Sequence, residues 1–465
     1  MLKKYSFAAL VSASLFFYGC SHQQTENHAH HPNKNLADID LNLKINKKVL
    51  SNGLTILHLE NKKLPIVSVY TFFDVGGKSE SAGVTGSTHF LEHMMFKKTK
   101  SHPAEYFSKI IENNGGNSNA YTTFDNTVYY ENIPVDSLDE ILSLEAERLE
   151  NLELEEEAFE KERQVVLEER KMRYENRAGG QLYLRMMKEI FTGTPYGGSV
   201  IGEASDVQNL SRDKMLEFYH KFYRPNNAVL VVVGDIDSDK LFSMVESKYG
   251  KIPRGEGLEE LRKEFANPEH FKHQAKLPKV VSLHGESVSP MFMMAFPSLK
   301  AGEEDGFALD ILAKIIGSGD SSYLSKEFVI SKKPKLSSIS AANYSLKESG
   351  VFYIGGSLLD RVSLSGFQHS LKREVKAICD KAVTERSVQK TKNNILIELY
   401  SGLETNDGLA SFVGNQQFFY GDYNGYKREL EIYSSLTAEK VKETCKKYID
   451  NNKSLFISVW KKHRK

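Results

Sequence analysis

The sequence predicts an α+β protein of two related domains, each a largely antiparallel sheet with helices packed on one face. Three observations carry this. Apolar, β-branched segments at Leu54 to Leu59, Ile66 to Phe73 and Val229 to Val233 read as strands. Long helical stretches separate them without the regular spacing of a doubly wound sheet. In the second half a strand at Val280 to Leu283, a strand at Pro290 to Phe296 and a helix at Phe307 to Ile316 repeat the order of the first half, which points to a duplicated fold. Between the halves, residues 251–269 carry Pro253, Gly255, Gly257 and many charges, the composition of an exposed linker. The first domain is therefore placed at residues 43–250 and the second at 270–465.

At 465 residues and 40% hydrophobic content the chain is long enough to bury substantial cores in two or three domains. Its 61 basic residues balance its 61 acidic ones and form no basic stripe, which excludes nucleic acid as a partner class. Residues 1–20 read as an export signal, with Lys3 and Lys4 ahead of an apolar run from Phe7 to Tyr18 that is too short to span a bilayer. Gly19, Cys20 and Ser21 look like a bacterial lipoprotein cleavage site, which implies lipidation of Cys20 and anchorage to a membrane on the periplasmic side of the envelope. Residues 21–42, polar and containing His22, His28, His30 and His31, read as a tether.

The stretch Val84 to Thr99, VTGSTHFLEHMMFKKT, holds the chemistry. In a helix His89, Glu92, His93 and Phe96 share one face, and Phe90, Leu91, Met94 and Met95 take the other. Two histidines one turn apart can aim ring nitrogens at a single zinc ion, and Glu92 beside them can take a proton from water without being a ligand. The order His-x-x-Glu-His is the inverted zincin signature. A third ligand is sought in Glu153 to Arg177, which lacks Pro and Gly and reads as a helix. There Glu162, Val165, Val166, Glu169 and Arg173 share a face, and Glu168 points about 100° from Glu169. Glu169 is therefore the expected ligand and Glu162 a carboxylate bracing a ligand, with Glu168 in reserve.

These motifs, followed in order by GGNSNAYTTFDNTVYY, ERQVVLEE, the long run from PYGGSVIGE to VVVGDID, and GLETNDGLA, resemble the pitrilysin, or insulinase, family of zinc metallopeptidases, in the short-chain branch similar to mitochondrial processing peptidase. The resemblance runs from about Leu50 to near the C-terminus. It implies a zinc endopeptidase with one ion per chain, ligated by His89, His93 and Glu169, and cleaving peptides or unfolded polypeptides. Asn119, Ala120, Tyr121 and Thr122, after the Gly115-Gly116 turn, form an extended stretch whose backbone can pair with a peptide. The resemblance implies that role.

In the family, an arginine and a tyrosine of the second domain contact substrate near the zinc. Here the matching positions are Val329 or Ile330 and Leu336 to Ser338, so both side chains are missing. A related second chain is the expected supplier, which makes this the zinc-bearing subunit of a heterodimer. A homodimer using Lys332, Lys333 or Tyr344 is the competing reading, and a non-catalytic envelope scaffold of the same fold is the alternative from another class. The loop Gly317 to Ser322 lacks the Lys-Ser or Lys-Thr of a phosphate loop. Cys379 and Cys445 each fall within a predicted helix; an oxidising periplasm allows a disulfide between them, and buried free thiols are the favoured reading because helix placement alone gives no geometric support for pairing.

Overall fold

The computed structural model describes Leu36, residues 39–285 and residues 290–461. The export signal, Cys20 and the histidines of the tether lie outside the described residues. The first sheet contains β1 (Ile45–Val49), β2 (Thr55–Glu60), β3 (Ile66–Phe73), β4 (Asn117–Thr122), β5 (Thr127–Pro134) and β6 (Ala228–Gly234), in the order β1-β2-β6-β3-β5-β4. The second contains β7 (Lys279–Gly285), β8 (Met291–Ser298), β9 (Leu336–Ser345), β10 (Gly350–Leu358) and β11 (Leu455–Lys461), in the order β7-β11-β8-β10-β9. Each sheet has one parallel pair, β2 with β6 and β7 with β11, and antiparallel pairing elsewhere. Apart from β1 the two orders correspond strand for strand, so the duplication expected from the order of elements is a duplication of topology.

The main core of the first sheet buries Ile56, Val67, Val69, Leu230 and Val232 against α1 (Ser87–Met94), α2 (Leu138–Glu150) and α3 (Glu156–Arg170). The reading of helices on one face describes this layer. The structure adds a second. α4 (Ala178–Ile190), from the first half, lays Leu182, Met186 and Ile190 on Met293, Val351 and Ile457 of the second sheet. In return α8 (Asn406–Tyr420) of the second half lays Ala410 and Val413 on Leu57, Phe72 and Val231 of the first sheet. A side chain at Gly414 would run into the Phe72 ring, so glycine sets how closely α8 approaches β3. Each sheet is thus apolar on both faces, as a near-continuous run such as Val229 to Val233 requires.

One expectation is refined and one corrected. Residues 251–269, expected as an exposed linker, are mostly exposed but contain α5 (Leu258–Phe265), with Leu258 buried in the first core and Arg262 paired with Asp74 at 3.3 Å. Cys379, in α7 (Leu364–Lys381), and Cys445, in α9 (Ala438–Tyr448), are not free thiols but a disulfide. Their Cα atoms are 5.6 Å apart, within the range a disulfide spans. Packing of α7 and α9 against α6 (Glu304–Gly317) and the second sheet creates that proximity, which helix placement in the sequence does not reveal.

Candidate metal centre

α1 begins after Gly86, whose φ of 87° lies in the left-handed region and whose missing Cβ leaves room for the Ile201 carbonyl. The half-buried Glu80 carboxylate accepts the backbone N–H of Gly86 and of Thr88, both at 2.7 Å, and so satisfies donors that a helix start leaves open. Phe90, Leu91 and Met94 are fully buried, and the Phe90 ring stacks on Phe159 of α3 at 4.7 Å. That contact and buried Val166 fix α3 against α1. The helix stops at Met94, so Phe96 leaves the histidine face and packs by Phe107 and Tyr129 instead.

With the two helices held this way, three ligand atoms, from His89, His93 and Glu169, lie within 4.8 Å of one another. Glu169 Oε2 is 3.3 Å from His93 Nε2 and 3.7 Å from His89 Nε2. Donors about 2.0 to 2.1 Å from one tetrahedral ion stand roughly 3.3 Å apart. The donor set, two imidazole nitrogens and a carboxylate oxygen, therefore suits zinc in both type and separation. His93 Nδ1–H donates to Glu162 Oε1 at 2.9 Å, and Glu162 Oε2 takes Lys97 at 2.7 Å. Glu92 accepts the Thr122 hydroxyl at 2.5 Å, which ties it to β4.

The charges follow from burial and pairing. Burial pushes the His89 imidazole down to about 3, so it stays neutral and free to ligate. Burial also opposes charge on His93, but Glu162 and Glu169 outweigh it and raise His93 to about 10. Glu169 is held at about 2: burial works against its charge, while the hydrogen bond to His93 and the charge of His89 favour it. Burial raises Glu92, against the pull of His93 and Thr122. The two carboxylates beside His93 thus call for a cation, whether a proton on the ring or a metal.

The structure brings together His89, Glu92, His93, Thr122, Glu162 and Glu169. Glu168 does not join them; it is exposed beside Lys171. Val165 is half exposed, off the buried face on which Val166 lies. Asn119 to Thr122 lie on β4, an outermost strand whose only strand partner among the described residues is β5. Ala120 packs into the first core, whereas Tyr121 points to the opposite face, in the cluster that α8 covers. Tyr121 thus has its side chain away from the histidines. The β4–β5 turn is held from both domains: Asp125 pairs with Lys78 at 2.9 Å and accepts the Tyr196 hydroxyl at 2.6 Å within the first domain, and takes the backbone N–H of Lys347 of the second at 3.0 Å. Tyr344 lies in β9, while Lys332 and Lys333 are exposed. Sequence reasoning missed Lys97, Glu80 and the Thr122–Glu92 bond. Lys97 lies four residues after His93 but beyond the end of α1, and no local pattern announces the other two.

The chain is similar in sequence and fold to known proteins. Residues 55–204 match the model for Insulinase (Peptidase family M16), and residues 209–395 match that for the Peptidase M16 inactive domain. Zinc protease PqqE of Helicobacter pylori is 33% identical over 378 residues, covering 79% of this chain and 82% of that protein. Mitochondrial-processing peptidase subunit beta of Blastocladiella emersonii is 24% identical, covering 88% and 87%. Cytochrome b-c1 complex subunit 1 of Rattus norvegicus is 26% identical, covering 86% and 83%. A crystal structure of a protease from Helicobacter pylori superposes with a TM-score of 0.81 at 27% identity, covering 90% of this chain and 99% of that one.

Proposed function

Because the chain belongs to the insulinase family, Peptidase family M16, we propose that it is a zinc-dependent endopeptidase acting on peptides or unfolded polypeptides at the bacterial envelope. The observation that carries this reading is the convergence of His89, His93 and Glu169 with the half-buried Glu92 alongside. When bound there, zinc supplies acidification of water toward neutral pH and polarisation of a carbonyl. The chain's own residues do the rest. Glu92 takes the proton of the attacking water on a carboxylate oxygen and delivers it to the leaving amine. Thr122 holds one oxygen of that carboxylate in place, and Glu162 fixes the His93 ring through Nδ1. The backbone of β4, residues Asn119 to Thr122, pairs with an extended substrate and sets the scissile bond against the histidines.

The reading extends to a partner and a location. The second domain lacks the arginine and tyrosine expected at Val329 or Ile330 and at Leu336 to Ser338, which supports a related chain completing the site. Cys20 as a lipid anchor would hold the pair at a membrane surface. A scaffold role is favoured by the similarity to a cytochrome b-c1 subunit. It gives no reason for four groups to converge on one point. The test is hydrolysis of a quenched peptide by the zinc-loaded chain, alone and with a related chain, with and without chelator. Chelator-sensitive cleavage is expected. Zinc binding without cleavage in either form would favour the scaffold.

A further inference from the structure

We propose that Arg173 is a substrate-facing cation that the zinc-side helix supplies in cis, stabilising the negative charge that builds on the scissile carbonyl oxygen; this rests on the peptidase reading above. α3 passes directly into a π-helical turn, Lys171–Glu175, closed by the Asn176 N–H to the Lys171 carbonyl at 2.9 Å. Such turns concentrate at functional sites. This one is built firmly. Tyr174 is buried and stacks on Tyr183 with rings 6.1 Å apart, and a side chain at Gly180 would collide with the Arg173 carbonyl. The turn delivers Arg173 Nη1 to 3.4 Å from Glu169 Oε1, while Oε2 of the same carboxylate faces the two imidazoles. The guanidinium is close enough for its charge to act on His89, Glu92 and Tyr183.

Two simpler roles fit poorly. As an i,i+4 helix pair with a side chain 35% exposed, the contact contributes little to stability. As a device for holding metal it has the wrong sign, because a fixed cation competes for Glu169 and repels a divalent ion. A positive charge that works against metal binding is explained by negative charge arriving with the reaction, where a positioned donor is worth most. Glu169 is its one ion-pair partner among the described residues, and that contact leaves most of its five N–H donors for a bound molecule. It also stands where the second domain offers no substitute: Ile330 is exposed and Leu336 is buried in its own core.

The experiment compares Arg173→Met and Arg173→Lys with the wild-type full chain, in whichever form, alone or with the related chain, cleaves the quenched peptide. It reads kcat, KM and zinc Kd by chelator competition. For Arg173→Met a fall of about a hundredfold in kcat is expected, with KM little changed and zinc bound as tightly as in wild type or more so. Arg173→Lys should recover part of the loss. Wild-type kcat in Arg173→Met overturns the proposal. So does zinc affinity falling in step with kcat, which would make Arg173 a brace for Glu169. Should the methionine variant not fold, Arg173→Gln carries the same readouts. Failure of the peptidase reading looks different: no form of the zinc-loaded wild-type chain would cleave.

Discussion

Replacing Glu162 by glutamine should weaken zinc binding without touching a ligand. Glu162 is 12% exposed, accepts His93 Nδ1–H at 2.9 Å and pairs with Lys97 at 2.7 Å. Burial works against its charge, yet His93 and Lys97 hold it below the ordinary carboxylate range, so it is ionised at neutral pH. Glutamine keeps an acceptor for His93 and loses the charge. A charge-assisted bond is about twice as strong as a neutral one, a difference of roughly 1 to 1.5 kcal/mol. At about 1.4 kcal/mol per decade this is roughly five- to tenfold in zinc Kd. Glu162→Ala, which also leaves Lys97 unpaired beside the metal, should approach about a hundredfold. The assay is competition with a chelator of known affinity, backed by melting curves in saturating zinc, where a tenfold weaker Kd removes about 1.4 kcal/mol of stabilisation. Glu168→Gln, on the same helix but exposed, is the control and should change nothing. Glu162→Gln binding zinc within twofold of wild type would refute the assigned bracing role, and Glu168→Gln weakening it more would refute the choice of Glu169 over Glu168.

Glu92→Gln should keep zinc and lose about two to four decades of turnover; near-normal cleavage would remove Glu92 as the base. Peptides N-methylated on the bonds that face β4 should lose affinity while side-chain changes are tolerated, measured as KM across a short peptide series. Serine at Cys445 should lower stability by about 4 kcal/mol on the chain-entropy estimate for a bridge spanning 66 residues; an unchanged denaturation midpoint under oxidising conditions would contradict the bridge. His58, buried with Nδ1 at 2.8 Å from the Ser238 hydroxyl, is pushed by burial down to about 4. Between pH 6.5 and 4 the unfolded chain therefore binds a proton there that the folded chain does not. Stability should fall as pH drops through that window, by on the order of 3 kcal/mol. His58→Gln should flatten that slope; an unaltered pH profile would show that other groups set it.

What the sequence disclosed and what it withheld divide along a physical line. His89 and His93 were legible because helical spacing alone puts them on one side, and Glu169 because the face of α3 distinguishes it from Glu168. The Val229 to Val233 run announced a strand, but not that both of its faces would be covered. By contrast Thr122 reaches Glu92 only through the register of β4 against β5, and Tyr121 turns away because neighbouring strand residues alternate sides. The disulfide depends on two helices more than sixty residues apart meeting across a core. The helix inside the linker was hidden for a local reason: Gly257, with φ of 67°, looks like a chain breaker and in fact starts α5. Helical periodicity likewise says that α4 and α8 are buried, not which sheet they cover.

That crossed coverage has a consequence for the polypeptide as a whole. Neither half carries everything needed to hide its own sheet, so the first half made alone would show Leu57, Phe72 and Val231 to water, and the second would show Met293, Val351 and Ile457. The twin units share one topology, yet they pack as one body, each lending the other its lid. A cut near residue 255 should leave two fragments that purify together and separate only under denaturant.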